Sequence, residues 1–85
     1  MTIWKYVLRV IDSQLVAMPE GAQILSAHVQ NGELCIWALV NPGAVKKPRT
    51  IEINGTGHRL SSKVNRRFIG TVLVHQFVWH VFEVL

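Results

Sequence analysis

The stretch Gln23-Ile24-Leu25-Ser26-Ala27-His28-Val29-Gln30-Asn31-Gly32-Glu33-Leu34-Cys35-Ile36-Trp37-Ala38-Leu39-Val40 decides the fold. Two apolar-rich runs flank Asn31-Gly32, the dipeptide that most cheaply supplies the paired positive φ angles of a type I′ hairpin turn. A two-residue loop then dictates register. It sets Gln30 opposite Glu33, Val29 opposite Leu34, His28 opposite Cys35, Ala27 opposite Ile36, Ser26 opposite Trp37 and Leu25 opposite Ala38. One face of this ribbon is Leu25, Ala27, Val29, Leu34, Ile36 and Ala38, all apolar and expected to face a core. The other face, Ser26, His28, Gln30, Glu33, Cys35 and Trp37, is mixed, so Trp37 is the aromatic residue most expected on a surface.

The same grammar extends along the chain. Short runs rich in Val, Ile, Trp, Tyr and Phe are punctuated by Asn, Gly, Pro, Asp and Ser, which predicts strands near 3–10, 14–18, 23–30, 33–40, 49–54, 67–74 and 77–84. No helix of ten residues is expected, the one place for a helical turn being Leu60 to Asn65. Asn41 to Pro48 reads as the longest polar loop. The last two strands are apolar on both faces, as in central strands or strands covered by another subunit. Together these features predict an all-β domain over residues 1–85, a small antiparallel β-sandwich or partly open barrel of about seven short strands.

With 85 residues there is room for one domain only. The chain is 49% hydrophobic with a mean hydropathy of +0.26, rich for so small a surface-to-volume problem, and a homo-oligomer is the expected outlet. A lone cysteine, Cys35, forms no internal disulfide, which suits a reducing compartment. Residues 1–10 carry Trp4, Lys5, Tyr6 and Arg9 where a signal peptide needs an apolar core, and the near-apolar run Phe77 to Leu85 is far short of the ~20 residues of a spanning helix. The expected location is a host cytoplasm, with no membrane partner.

Charge is unevenly placed. Seven of the nine basic residues, Lys46, Lys47, Arg49, Arg59, Lys63, Arg66 and Arg67, fall between positions 46 and 67 against one carboxylate, Glu52. Such a segment attracts an anionic partner, whether nucleotide, nucleic acid or acidic protein surface; as an alternative it is a solvated basic loop pair. Inside it, Asn54-Gly55-Thr56-Gly57-His58 combines two glycines with a hydroxyl and an imidazole, a pattern in which backbone N–H groups can form an anion-binding nest or simply close a tight turn. It lacks the Gly-Lys-Ser/Thr ending of a P-loop. The anion- or partner-binding candidates are therefore Lys46, Lys47, Arg49, Gly55, Thr56, Gly57, His58, Arg59, Arg66 and Arg67, with Trp37 apart from them.

Other chemistries find little support. His28, His58, His75 and His80 have no metal-ligand spacing, and only His28 and Cys35 are expected to be near each other, two ligands short of a zinc site. A Cys-His nucleophile pair would lack an orienting group and an oxyanion site. Ser61 and Ser62 have no nucleophile-elbow context, and Asp12, Glu20, Glu33, Glu52 and Glu83 form no pair at a readable spacing. The aromatic residues Trp4, Tyr6, Phe68, Phe77, Trp79 and Phe82 read mostly as core, although stacking on bases is the alternative. Neither enzyme activity nor a cofactor or metal is expected.

Five blocks carry a resemblance: Pro19 to Ser26, Leu34 to Val40, Gly55-Thr56-Gly57-His58, Ile69 to Val72, and Val78-Trp79-His80-Val81-Phe82-Glu83. In these the chain resembles a family of small phage- and prophage-encoded domains of unknown function. The resemblance implies a setting, a phage accessory protein that binds a host component, for example as an inhibitor of a host defence or host enzyme, and it implies no catalytic residue. The readings to be weighed are a binding module contacting a host protein through the basic segment, and a pocket protein sequestering a small anionic ligand such as a nucleotide at a subunit interface, using Gly55 to His58, Arg59 and an aromatic residue.

Overall fold

A computed structural model describes all residues, 1–85. Seven strands form: β1 (Thr2–Val7), β2 (Ser13–Pro19), β3 (Gln23–Gln30), β4 (Glu33–Val40), β5 (Lys46–Gly55), β6 (Arg66–Val74) and β7 (Phe77–Val84). There is no helix, and Leu60 to Asn65 is irregular. The strands make two antiparallel sheets, β1-β4-β3 and β2-β5-β7-β6, facing each other as a sandwich rather than a closed barrel.

The deciding hairpin adopts its expected register from Gln30↔Glu33 to Ser26↔Trp37, with Asn31 and Gly32 both at positive φ, 53° and 76°. Beyond Ser26 the pairing departs from expectation. A β-bulge makes Ile24, not Leu25, the partner of Ala38, so Leu25 is turned outward and is 44% exposed. An extra residue in one strand leaves the bulged side chain outside the ladder and increases the local twist. Val29, at the strand end, is exposed as well, whereas Ala27, Leu34, Ile36 and Ala38 are buried. Cys35 corrects the polar-face reading: it is buried, and the register puts it beneath the diagonal along which Lys5 Nζ of β1 donates to Gln30 Oε1 of β3 at 2.8 Å.

Between the sheets lie Met18, Ile36, Ala38, Val40, Ile51, Ile53 and Val81, all essentially inaccessible to water. The sheets come closest where β6 crosses β3. A Cβ on Gly70 would lie 3.5 Å from the Ala27 methyl carbon, so the small residues on both sides permit the approach. A bulge at Ile69 precedes this point.

Two connections matter for the site. The Asn41 loop is shorter than expected because Lys46, Lys47 and Pro48 belong to β5. The longest connection is 56–65: β5 and β6 both pair antiparallel to β7, so they run parallel and the chain must cross β7. It does so over the outer face, where Thr56 Oγ1 meets His80 Nε2 at 2.8 Å and the Ser61 carbonyl accepts from Arg66 Nη1 at 2.9 Å.

Candidate functional site

The two ends of the sandwich differ. At one end the inward face of sheet β2-β5-β7-β6 carries ions. Strand alternation puts Arg49 on the same face as Ile51 and Ile53, and Glu83 on that of Val81, so both charged side chains point into the sandwich. Arg49 grips Glu83 in a bidentate pair, Nε to Oε2 and Nη2 to Oε1, the latter at 2.9 Å. A third bond, Nη1 to the Ala22 carbonyl at 2.8 Å, ties it to the chain entering β3. The hydrogen bond to Glu83 raises the Arg49 pKa above its already high ordinary value, against the opposing effect of burial. The Tyr6 hydroxyl is buried without a hydrogen-bond partner, and desolvation pushes its pKa up while the charge on Arg49 pulls it down.

At the other end the sandwich gapes. The β6–β7 hairpin projects past the end of β5, because Gly55 pairs with Trp79 and nothing on β5 lies opposite Val78 or Phe77. Phe77 is therefore 57% exposed although its ring lies 6.2 Å from that of Trp79. Two clefts of about 370 Å³ and about 380 Å³ flank this aromatic pair. Each falls in the size range of small-molecule sites.

One cleft contains the glycine-rich turn found in the sequence: Gly55, Thr56 and His58 line it with Gln76, Phe77 and Trp79. The turn closes with His58 N–H donating to the Gly55 carbonyl at 3.1 Å, and Gly57 at φ 84° takes the left-handed position that glycine accepts without steric cost. One of the expected nest amides is thus spent internally, while the N–H groups of Thr56 and Gly57 have no partner in the protein. The His58 ring lies on Gly55 so closely that a Cβ there would be 2.7 Å from Cε1. His80 fixes Thr56 from below, its Nδ1 lying 3.0 Å from Thr71 Oγ1.

The basic segment is divided by the fold. Arg49 is inside the sandwich. Arg66 is not a loop residue; it begins β6, with its guanidinium half-buried against Glu52 (Nε to Oε1, 2.9 Å) and over the ring of Phe82. Lys47 has a long, exposed pair with Glu20 at 3.8 Å. Lys46, Arg59, Lys63 and Arg67 remain exposed with no carboxylate partner; Arg59 and Lys63 ride on the crossover that starts at the cleft, Lys46 and Arg67 at the beginnings of β5 and β6. Trp37 lies elsewhere, on the outer face of β4, half-buried and 6.0 Å from the His28 ring.

The whole chain, residues 1–85, matches the family described as Domain of unknown function (DUF7352). The chain belongs to that family. No curated protein and no solved structure matches it.

For this DUF7352 chain, the candidate site is the gaping end. Sequence reasoning brought Gly55, Thr56, Gly57 and His58 forward but missed His75, Gln76, Phe77 and Trp79. A signal was present: a two-residue connection reading His75-Gln76, with neither Gly nor Asn, is unusual for a tight hairpin. His75 adopts φ 56°, a left-handed conformation that costs a non-glycine residue about 1 kcal/mol.

Proposed function

We propose that the protein binds, without turning over, a ligand carrying an anionic group, and that it does so in the cleft between the Gly55–His58 turn and Phe77. The observation that carries this reading is the convergence there of the unpartnered Thr56 amide, the Thr56 hydroxyl held by His80, the His58 imidazole and the exposed Phe77 ring, with the free Gly57 amide next to the cleft in the same turn. Amides and imidazole suit a phosphate or carboxylate oxygen; the aromatic ring suits a planar group. Arg59 and Lys63 on the crossover raise the local anion concentration and speed encounter. A nucleotide meets all these requirements.

The setting that fits the resemblance is a phage accessory protein in the host cytoplasm, holding a small anionic ligand away from a host enzyme or defence. A second reading, contact with an acidic host protein, is favoured by the exposed and unpaired Lys46, Arg59, Lys63 and Arg67. In either case a second copy would cover Phe68, Leu73 and Val78, which stand exposed on the outer face of β6 and β7.

Calorimetric titration with inorganic phosphate and with nucleoside monophosphates tests the reading. Binding should weaken as salt rises. Gly55→Ala, which displaces the His58 ring, and Arg59→Ala should each lower affinity severalfold with unchanged melting temperature. Absence of binding by any of these probes at millimolar concentration would move attention to the protein-partner reading.

A further inference from the structure

The second cleft shares Phe77 and Trp79 with the first and is otherwise lined by apolar side chains, among them Leu8, Val10 and Leu34, and by two polar ones, Glu33 and His75. It is the open mouth of the sandwich interior, between the β3–β4 turn and the β6–β7 hairpin. The lobe on the turn side is lined by Gly55, Thr56, His58 and Gln76 beside the shared aromatic pair. The two clefts therefore adjoin at the aromatic pair, one with the glycine-rich turn on its wall and the other with mostly aliphatic side chains, Glu33 and His75.

His75 stands where a glycine would relieve its left-handed backbone, and its imidazole has no hydrogen-bond partner in the protein. The left-handed backbone holds this exposed imidazole at the lip of the cleft, where it is free to bond the polar edge of a ligand.

From these observations, and resting on the proposed function, we infer that the ligand spans both lobes: its anionic group sits at Thr56 and His58, and a planar body lies in the apolar lobe against Phe77, with its polar edge at His75. The ligand class is a nucleotide, in which phosphate and base are joined by a sugar that carries the span past the aromatic pair. A simple oxyanion would fill one half only, and a free nucleoside the other.

The experiment compares inorganic phosphate, a nucleoside and the corresponding nucleoside monophosphate on the parent protein, on His75→Gly, and on Val10→Phe, which fills the apolar lobe from an exposed position. The monophosphate should bind the parent at least tenfold more tightly than inorganic phosphate. His75→Gly should melt at a higher temperature than the parent yet bind the monophosphate about tenfold more weakly, with phosphate affinity unchanged. Val10→Phe should repeat the selective loss. If phosphate binds but the monophosphate binds no more tightly, or if both variants keep full monophosphate affinity, the apolar lobe is not part of the site and this inference falls while the anion site stands. If neither phosphate nor monophosphate binds the parent, the proposed function fails and the inference fails with it.

Discussion

The two ends of this sandwich are made from the same strands and solve opposite problems. At the end of β7 near Glu83, two charges are brought between the sheets and are fully satisfied, Arg49 bonding both Glu83 oxygens and the Ala22 carbonyl. At the end near Phe77, hydrogen-bonding groups and apolar surface are left unspent: amides without partners, an imidazole without a partner, an exposed phenyl ring. At the first end the charges are paired and the Tyr6 hydroxyl is the one buried polar side-chain atom left without a partner. At the second the free groups are exposed to solvent and open to another molecule, so the two ends differ in accessibility: one holds its charges between the sheets, the other presents its polar and aromatic groups at clefts.

The largest expected effect lies at the charged end. Arg49→Ala leaves Glu83 buried without its counter-charge and should cost about 3 to 5 kcal/mol in chemical denaturation, whereas Arg59→Ala at the open end should stay within about 0.5 kcal/mol of the parent. Equal costs would mean that the basic segment works as one unit and that its division between core and surface is wrong.

A smaller effect sharpens the same contrast. Tyr6→Phe removes a buried hydroxyl with no partner and should be neutral or stabilising by up to about 1 kcal/mol. Tyr6 is the only tyrosine, so tyrosinate absorbance reports on it alone. Desolvation raises its pKa in the folded protein; the neutral form is therefore favoured by folding, and its contribution is present below the unfolded value of about 10 and lost as pH rises through the folded value. Alkaline denaturation should accompany its titration, and Tyr6→Phe should push that denaturation to higher pH. A Tyr6 that titrates at or below the value for a free tyrosine would show an ionised, solvated phenol at this position.

How much of this was legible in the sequence follows from which forces act locally. Asn31-Gly32 fixes a turn, and the turn fixes register for as far as the ladder is regular, which is why Ser26↔Trp37 was readable and Ile24↔Ala38 was not: nothing local marks Leu25 as the inserted residue. The clustering of Lys46 to Arg67 is real in sequence but does not survive folding as one surface, because strand alternation turns Arg49 inward with Ile51 and Ile53. That parity was available to be read, as was Glu83 in step with Val81. Phe77 could not be recognised as exposed, because its exposure depends on where β5 stops, a non-local relation between the end of β5 at Gly55 and the start of β7 at Phe77.

The central claim, that the gaping end is the binding end, is tested most directly by heteronuclear NMR during titration with a nucleoside monophosphate. Shifts are expected at the amides of Gly55 to His58 and His75 to Trp79 and at the Trp79 indole, with the Trp37 indole and the Arg49 guanidinium unmoved. Shifts confined to Trp37 and His28, or spread evenly over Lys46, Arg59, Lys63 and Arg67 with none at Phe77 and Trp79, would contradict it.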